Sequence, residues 1–280
     1  MKSAGSGASS QTRTQSKVVL ITGASSGIGQ LCADQLHRSG WTVIGASRRG
    51  TSTGTWRALV IDVDDNESVA QGVASVVAEH GRLDAVVACA GWGLAGSVEQ
   101  TPIVDAIAQL DTNFWGTVRV VQAALPVMRE QRSGRLVLMS SLGGVIALPF
   151  QAFYTASKFA LEGYGEALAY EVEPFGINVT LVQPGNFRTG FTESRRQVTP
   201  SDGDTTYAAA SSKAVGLMER DEMNGADPAL VAAAVERVLT AERPPLRVSV
   251  GKFGERIGVR AKRLLPQRLF TRVVRGSLGV

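Results

Sequence analysis

The chain has 280 residues, 44% hydrophobic and 19% charged, a globular composition that supports one domain plus appendages. Two cysteines (Cys32, Cys89) and two histidines (His37, His80) rule out a disulfide framework, point to a reducing compartment, and leave little material for a metal centre or a Ser-His-Asp triad. Residues 1–17 carry +3 and residues 252–280 carry +7 in a chain of net +4, so the stretch between them carries −6 and argues against a nucleic-acid-binding core.

Residues 1–16, rich in Ser, Gly, Thr and Gln, contain no secretory hydrophobic stretch, and no apolar run in the chain reaches 18 residues. They read as a disordered leader on a cytoplasmic protein. From Lys17 onward, short β-rich runs alternate with amphipathic segments, which predicts an α/β fold with a parallel sheet covered by helices on both faces. Seven strands are expected, over 17–22, 41–46, 57–61, 83–88, 135–140, 177–182 and 246–250. Their unbroken Val/Ile/Leu character suits strands buried on both sides. In the first helix, Ile28, Leu31, Cys32 and Leu36 share one face, and Gly40 stands where the helix should stop. Further helices are expected over 66–80, 103–131, 153–173 and 228–240. Residues 186–226 have few periodic apolar positions and read as a loop over a ligand site, within a domain spanning 17–251.

The first strand runs into Thr22-Gly23-Ala24-Ser25-Ser26-Gly27-Ile28-Gly29, which opens the first helix. Glycines there allow a tight turn and close approach of a pyrophosphate to helix N-terminal N–H groups. Gly23, Ser25, Ser26, Gly27 and Ile28 are the candidate phosphate contacts; the alternative is a turn that merely packs helix on strand. The second strand ends in Ser47-Arg48-Arg49, where an acidic residue would favour NAD(H). Arginine there favours a 2′-phosphate and hence NADP(H), with Arg48 preferred over Arg49 and NAD(H) still open. Asp62 and Val63, after the third strand, are placed to meet adenine, although Asp62 also suits a turn or helix cap. Cys89, Ala90 and Gly91, after the fourth, offer small side chains where backbone meets ligand. Cys89 has no histidine near it in sequence, so a buried hydrophobe is the plainer reading than a nucleophile.

Ser141 ends the fifth strand, and Tyr154 and Lys158 lie four residues apart on one face of the following helix. A phenol ordinarily titrates near ~10, and a neighbouring cation is expected to lower that value and make a tuned acid/base.

Taken together, these residues resemble the short-chain dehydrogenase/reductase family over about residues 17–250, most of all its hydroxysteroid and retinol dehydrogenase branch. The resemblance rests on Thr22–Gly29, Asp62, Ala90-Gly91, Asn113, Ser141, Tyr154, Lys158 and Pro184-Gly185 with Thr189. It implies a doubly wound Rossmann fold with a seven-stranded parallel sheet. It also implies hydride exchange with a carbonyl or secondary alcohol, Tyr154 as general acid/base and Ser141 orienting the substrate oxygen. Lys158 would hold the nicotinamide ribose, and Asn113 would shape a helix bend and a proton relay. Tyr154 and Lys158 thus also count as cofactor contacts, and Pro184, Gly185 and Thr189 would meet the carboxamide. A homodimer or homotetramer through the helices at 103–131 and 153–173 is implied as well. One departure stands out: Ala-Cys-Ala-Gly replaces the family's usual Asn-Asn-Ala-Gly, so hydrogen bonds made by the second Asn must come from elsewhere. Leu94, Leu148, Phe150 and Phe191 suit either the core or a lipophilic pocket, steroid- or retinoid-like in its ligand. The rival reading is a non-catalytic NADP(H)-binding sensor or scaffold.

Residues 252–280 interleave seven basic side chains from Arg256 to Arg275 with apolar ones and are broken by Pro266, which predicts two short amphipathic helices. They either pack on the parent domain, covering the substrate mouth, or attach peripherally to an anionic membrane.

Overall fold

A computed structural model describes residues 16–52, 54–199 and 203–278. The expected leader at 1–16 therefore lies, except for Ser16, outside the described residues. The first half runs β1 (Val18–Thr22), α1 (Gly27–Arg38), β2 (Thr42–Ser47), β3 (Arg57–Val60), α2 (Asn66–His80), β4 (Ala85–Ala88) and the two-residue β5 (Leu94–Ala95). Then come α3 (Ile103–Leu110), α4 (Gly116–Gln131), β6 (Gly134–Met139), α5 (Ala152–Val172) and β7 (Ile177–Pro184). The remainder is α6 (Phe191–Ser194), β8 (Arg196–Gln197), α7 (Ala208–Met223), α8 (Ala229–Thr240), β9 (Arg247–Val250), α9 (Phe253–Leu264) and α10 (Gln267–Leu278).

Seven strands form one all-parallel sheet in the order β3-β2-β1-β4-β6-β7-β9, the doubly wound arrangement expected from the sequence. Strand side chains alternate between its two faces. Val18 and Leu20 join the layer of α2, α4 and α5 with Val73, Val120 and Leu161, whereas Val19 and Ile21 join that of α1 and α8 with Leu36 and Val235. Both faces are buried, which explains the unbroken apolar strands; each fully buried leucine adds about 2 kcal/mol. The chain first winds outward through β2 and β3 and then restarts at β4 on the other side of β1. The carboxyl ends of β1 and β4 therefore diverge into a crevice, the place where such sheets bind ligands.

Two expectations need correction. The helix read over 103–131 is interrupted by a π-helical turn at Asp111–Trp115, which inserts the bend at Asn113. The 186–226 segment is not a plain loop, because it contains the 16-residue α7. That helix buries only Ala214, Val215 and Met218, too few positions to write a periodic stripe; its Ala-rich start was the readable cue. This segment, the lid expected over a ligand site, has Phe187 paired with Ala226 and is joined to β5 through β8.

Candidate active site

At the end of β1 the chain makes a turn that glycine alone accommodates. Gly23 and Gly27 have φ of +67° and +55°, and a Cβ on Gly23 would lie 2.9 Å from the Ala90 backbone. A Cβ on Gly29 would stand 2.4 Å from the Gly23 carbonyl oxygen, so helix and turn are in direct contact. Ser26 precedes α1 without capping it by its side chain, which leaves the first helical N–H groups facing the crevice mouth. This cradle fits a dinucleotide pyrophosphate. Thr189 arrives from the lid side, its Cβ 4.0 Å from where a Gly27 side chain would begin.

The backbone at Cys89 and Ala90 is held by Thr22. Its buried hydroxyl accepts the Cys89 and Ala90 amides at 3.1 and 3.2 Å, locking the β4 loop onto β1. The sequence places Thr22 at the head of the glycine motif without giving its hydroxyl a role. Cys89 sits against Cys32, and the hydrogen bond between them, then burial, push the Cys32 thiol well above its usual range. Beyond Gly91, Asn113 accepts the Trp92 amide at 3.0 Å and donates to the Trp92 carbonyl at 3.0 Å and to Ser157 at 3.2 Å. Its side chain is fully engaged in bracing this loop to α5.

Of the two arginines after β2, Arg49 is the one that touches the glycine turn, donating to Ser25 Oγ at 3.2 Å. Arg48 is exposed and contributes its field to Asp64, whose carboxyl is pushed up chiefly by burial. Asp62 accepts the Asp64 amide at 3.1 Å, a turn role, while Asp65 caps α2. Val63 packs against Gly116 and is tied through its carbonyl to Arg119.

Ser141, Tyr154 and Lys158 converge just beyond β6. The Ser141 hydroxyl accepts the Gly143 amide at 3.0 Å, and a Gly143 side chain would meet the Tyr154 ring at 3.2 Å. Tyr154 is buried, and Lys158 Nζ donates to the Met139 carbonyl at 2.8 Å, standing 5.8 Å from the Tyr154 ring centre. Burial raises the phenol, a hydrogen bond with Ser141 draws it down, and the charges of Glu222 and Arg195 push and pull in turn. The expectation that Lys158 acidifies Tyr154 is therefore corrected, because desolvation dominates. Burial also brings the Lys158 ammonium down to about 8.

Behind this trio lies a polar network absent from the sequence reading. Glu162, one turn after Lys158, accepts from Ser140 at 2.6 Å, Gln183 at 2.9 Å and Arg247 at 2.8 Å. It ties the end of β6, β7 and β9 to the helix carrying Tyr154, and both oxygens of its own carboxylate have donors. In front, Phe191 lies over Tyr154 with ring centres 5.7 Å apart. Arg195, its side chain 1% exposed, stacks on Phe191 and pairs with Glu222, which also accepts from Thr192 at 2.6 Å. Leu148 and Phe150 gather with Ala214, Met218 and Val274, and a cleft of about 390 Å³ opens beside Phe150 and Tyr207. Leu94 is buried within β5. Pro184 ends β7 and Gly185 follows it, where Glu255 of α9 reaches the loop and accepts the Asn186 amide at 3.2 Å. Among the described residues, no group of His, Cys, Asp and Glu is arranged to hold a metal ion.

A family model described as short chain dehydrogenase matches residues 17–199. The chain is 40% identical over 262 residues to a 3-ketodihydrosphingosine reductase of Bacteroides thetaiotaomicron, covering 93% of this chain and 97% of that one. It is 41% identical over 195 residues to rat estradiol 17-beta-dehydrogenase 1, covering 64% of this chain and 56% of the relative. Among solved structures it is similar to a short-chain dehydrogenase from Streptomyces avermitilis, with a TM-score of 0.77, 35% identity, and coverage of 93% and 98% of the two chains. Since the matched span exceeds half of the chain and the full-length likeness agrees with it, this protein belongs to the short-chain dehydrogenase/reductase family of NAD(P)-dependent oxidoreductases.

Proposed function

We propose that this protein is an NADP(H)-dependent oxidoreductase that interconverts a ketone and a secondary alcohol on a lipophilic substrate, with Tyr154 as the proton-transfer group. The observation that carries the reading is the convergence of Ser141, Tyr154 and Lys158 at a buried strand edge beside the glycine cradle. Gly23, Ser25, Ser26, Gly27 and Ile28 hold the pyrophosphate, Arg49 with Arg48 the 2′-phosphate, and Asp62 and Val63 the adenine. Backbone at Cys89, Ala90 and Gly91, with Tyr154 and Lys158, holds the nicotinamide ribose, and Pro184, Gly185 and Thr189 the carboxamide. A dinucleotide bound there supplies or takes up the hydride.

Tyr154 then gives its proton to the substrate oxygen in reduction and takes it back in oxidation. Its raised pKa keeps the phenol protonated at neutral pH, which suits it to donate. Ser141 hydrogen-bonds the same oxygen and stabilises the charge that develops on it. Lys158, drawn down to about 8, lies close enough to neutrality to return a proton. Asn113 holds the loop and helix in register. Leu148, Phe150 and Phe191 favour an apolar body on the substrate, in line with the ketone-bearing lipid named for one relative and the steroid named for another. Exposed Ile103, Val104, Ile107 and Trp115 leave an apolar stripe on the helices at 103–131, which supports a homo-oligomer built there.

The test is NADPH consumption with a long-chain 2-amino-3-ketone, a 17-ketosteroid and a short polar ketone, beside a fluorescence titration of NADPH. Turnover of an apolar ketone is expected. Binding without turnover on any of them would favour the sensor reading instead.

A further inference from the structure

We propose that α9 and α10 form a docking face for an anionic phospholipid bilayer, seating the lid side of the molecule on the membrane. The inner faces of these helices are settled by contacts. Val259 and Phe270 are buried, Val274 packs with Met218, Leu148 and Phe150, and Lys262 binds the Val145 carbonyl. Glu255 caps α9 and accepts the Asn186 amide, so the pair is fixed to the body beside the lid.

The outer faces carry what a water-facing surface avoids. Leu264 is 83% exposed, Phe253 77% and Val273 57%, and Ile257, Leu265 and Leu269 are exposed as well. At about 100° per residue, Phe253, Ile257 and Leu264 fall within roughly 40° of one another around α9. On α10, Leu269 and Val273 stand one turn apart. Exposed Arg256 and Arg260 border the α9 stripe, and Arg268 and Arg272 border that of α10. Apolar side chains edged by arginines on a helix face match the boundary between acyl chains and anionic headgroups.

Charge decides between possible occupants. Residues 252–280 carry +7 while residues 18–251 carry −6, so an anionic surface attracts this end and repels the rest, which fixes one orientation. A second copy of the same face would set arginines against arginines across a two-fold axis. The docking face is also continuous, through Val274, with the apolar cluster of Leu148, Phe150, Ala214 and Met218, so an apolar molecule in the bilayer has a short route to the lid. The proposal stands on this surface alone and does not depend on which ketone is reduced.

The experiment is co-sedimentation of the full chain with vesicles of phosphatidylcholine, alone or with about a quarter phosphatidylglycerol. Binding to the anionic vesicles only is expected, falling several-fold between about 0.1 and about 0.5 M salt. Leu264→Glu with Val273→Glu should lower the bound fraction about ten-fold, and so should Gln at Arg256, Arg260, Arg268 and Arg272 together. Circular dichroism melts check folding; if one set of variants unfolds, the other decides. Equal binding to both vesicle types, absence of binding, or unchanged binding by the variants would overturn the proposal. A double glutamate variant that only shifts the elution volume in gel filtration would also overturn it, marking the face as a contact between subunits.

Discussion

The glycine turn and the lid are held by different means. The turn is held by exclusion: Gly23, Gly29 and the Thr22 hydroxyl bring three backbone segments so close that no added Cβ fits. The lid is braced within itself by the Arg195–Glu222 pair and meets the body through side-chain contacts such as Phe191 over Tyr154 and the Tyr207 hydroxyl on Glu99, with two residues of strand pairing. Backbone packing resists substitution and sets one geometry, whereas side-chain clasps can part and re-form. Under the proposed function, the turn would hold the cofactor in one place while the lid would open for substrate.

The largest effect expected is from Tyr154→Phe, which lies between the two regions. Turnover should fall by about 10²–10⁴ while NADPH affinity measured by fluorescence stays close to the parent value. Parent-like turnover would remove Tyr154 from the mechanism. On the cradle side, Gly29→Ala should cost about 2–3 kcal/mol in a urea titration, because the new methyl meets the Gly23 carbonyl. A shift below ~0.5 kcal/mol would show that the turn is looser than its contacts imply.

Lys158→Met should abolish turnover yet stabilise the fold by about 1–2 kcal/mol at pH 7, since a buried ammonium is replaced by an apolar chain. The sign follows from linkage. Between about 8 and 10.5 the unfolded chain holds a proton on Lys158 that the folded chain has released, so the parent gains stability as pH rises through this window. The advantage of the Met variant should therefore shrink toward pH 10.5 in a series of thermal melts. A difference that does not vary with pH would contradict this account.

Arg49→Ala should weaken NADPH binding about ten-fold, or ~1.4 kcal/mol, and leave NADH binding unchanged, with a smaller effect for Arg48→Ala. Equal losses for both cofactors would mean that neither arginine reads the 2′-phosphate. The smallest change belongs to the lid. Gly216 lies within α7 with nothing within 4 Å of an added Cβ, so Gly216→Ala should raise stability by about 0.5–1 kcal/mol. The same chemical substitution thus has opposite signs in the two regions.

Most of the sheet was legible because the central strands, buried on both faces, are nearly all apolar and announce themselves. The glycine turn and the Ser141, Tyr154 and Lys158 spacing were legible for a similar reason: each places a residue type that little else can replace. α7 was not, since a helix touching the body at three positions leaves only a faint pattern. The bend at Asn113 was implied by the family resemblance, but its π-helical winding was not, since a local change of winding depends on what the helix packs against.

By itself the amino-acid order determined the layered architecture and the glycine turn at its switch point, because periodicity and backbone sterics act over a few residues. Tertiary structure alone decided that Thr22 ties the β4 loop to β1, that Arg49 is the arginine reaching the turn, and that Glu162 anchors the helix carrying Tyr154. It also decided the direction in which Tyr154 titrates. Desolvation and long-range hydrogen bonds depend on which distant segments close around a group, and sequence spacing carries no record of that enclosure.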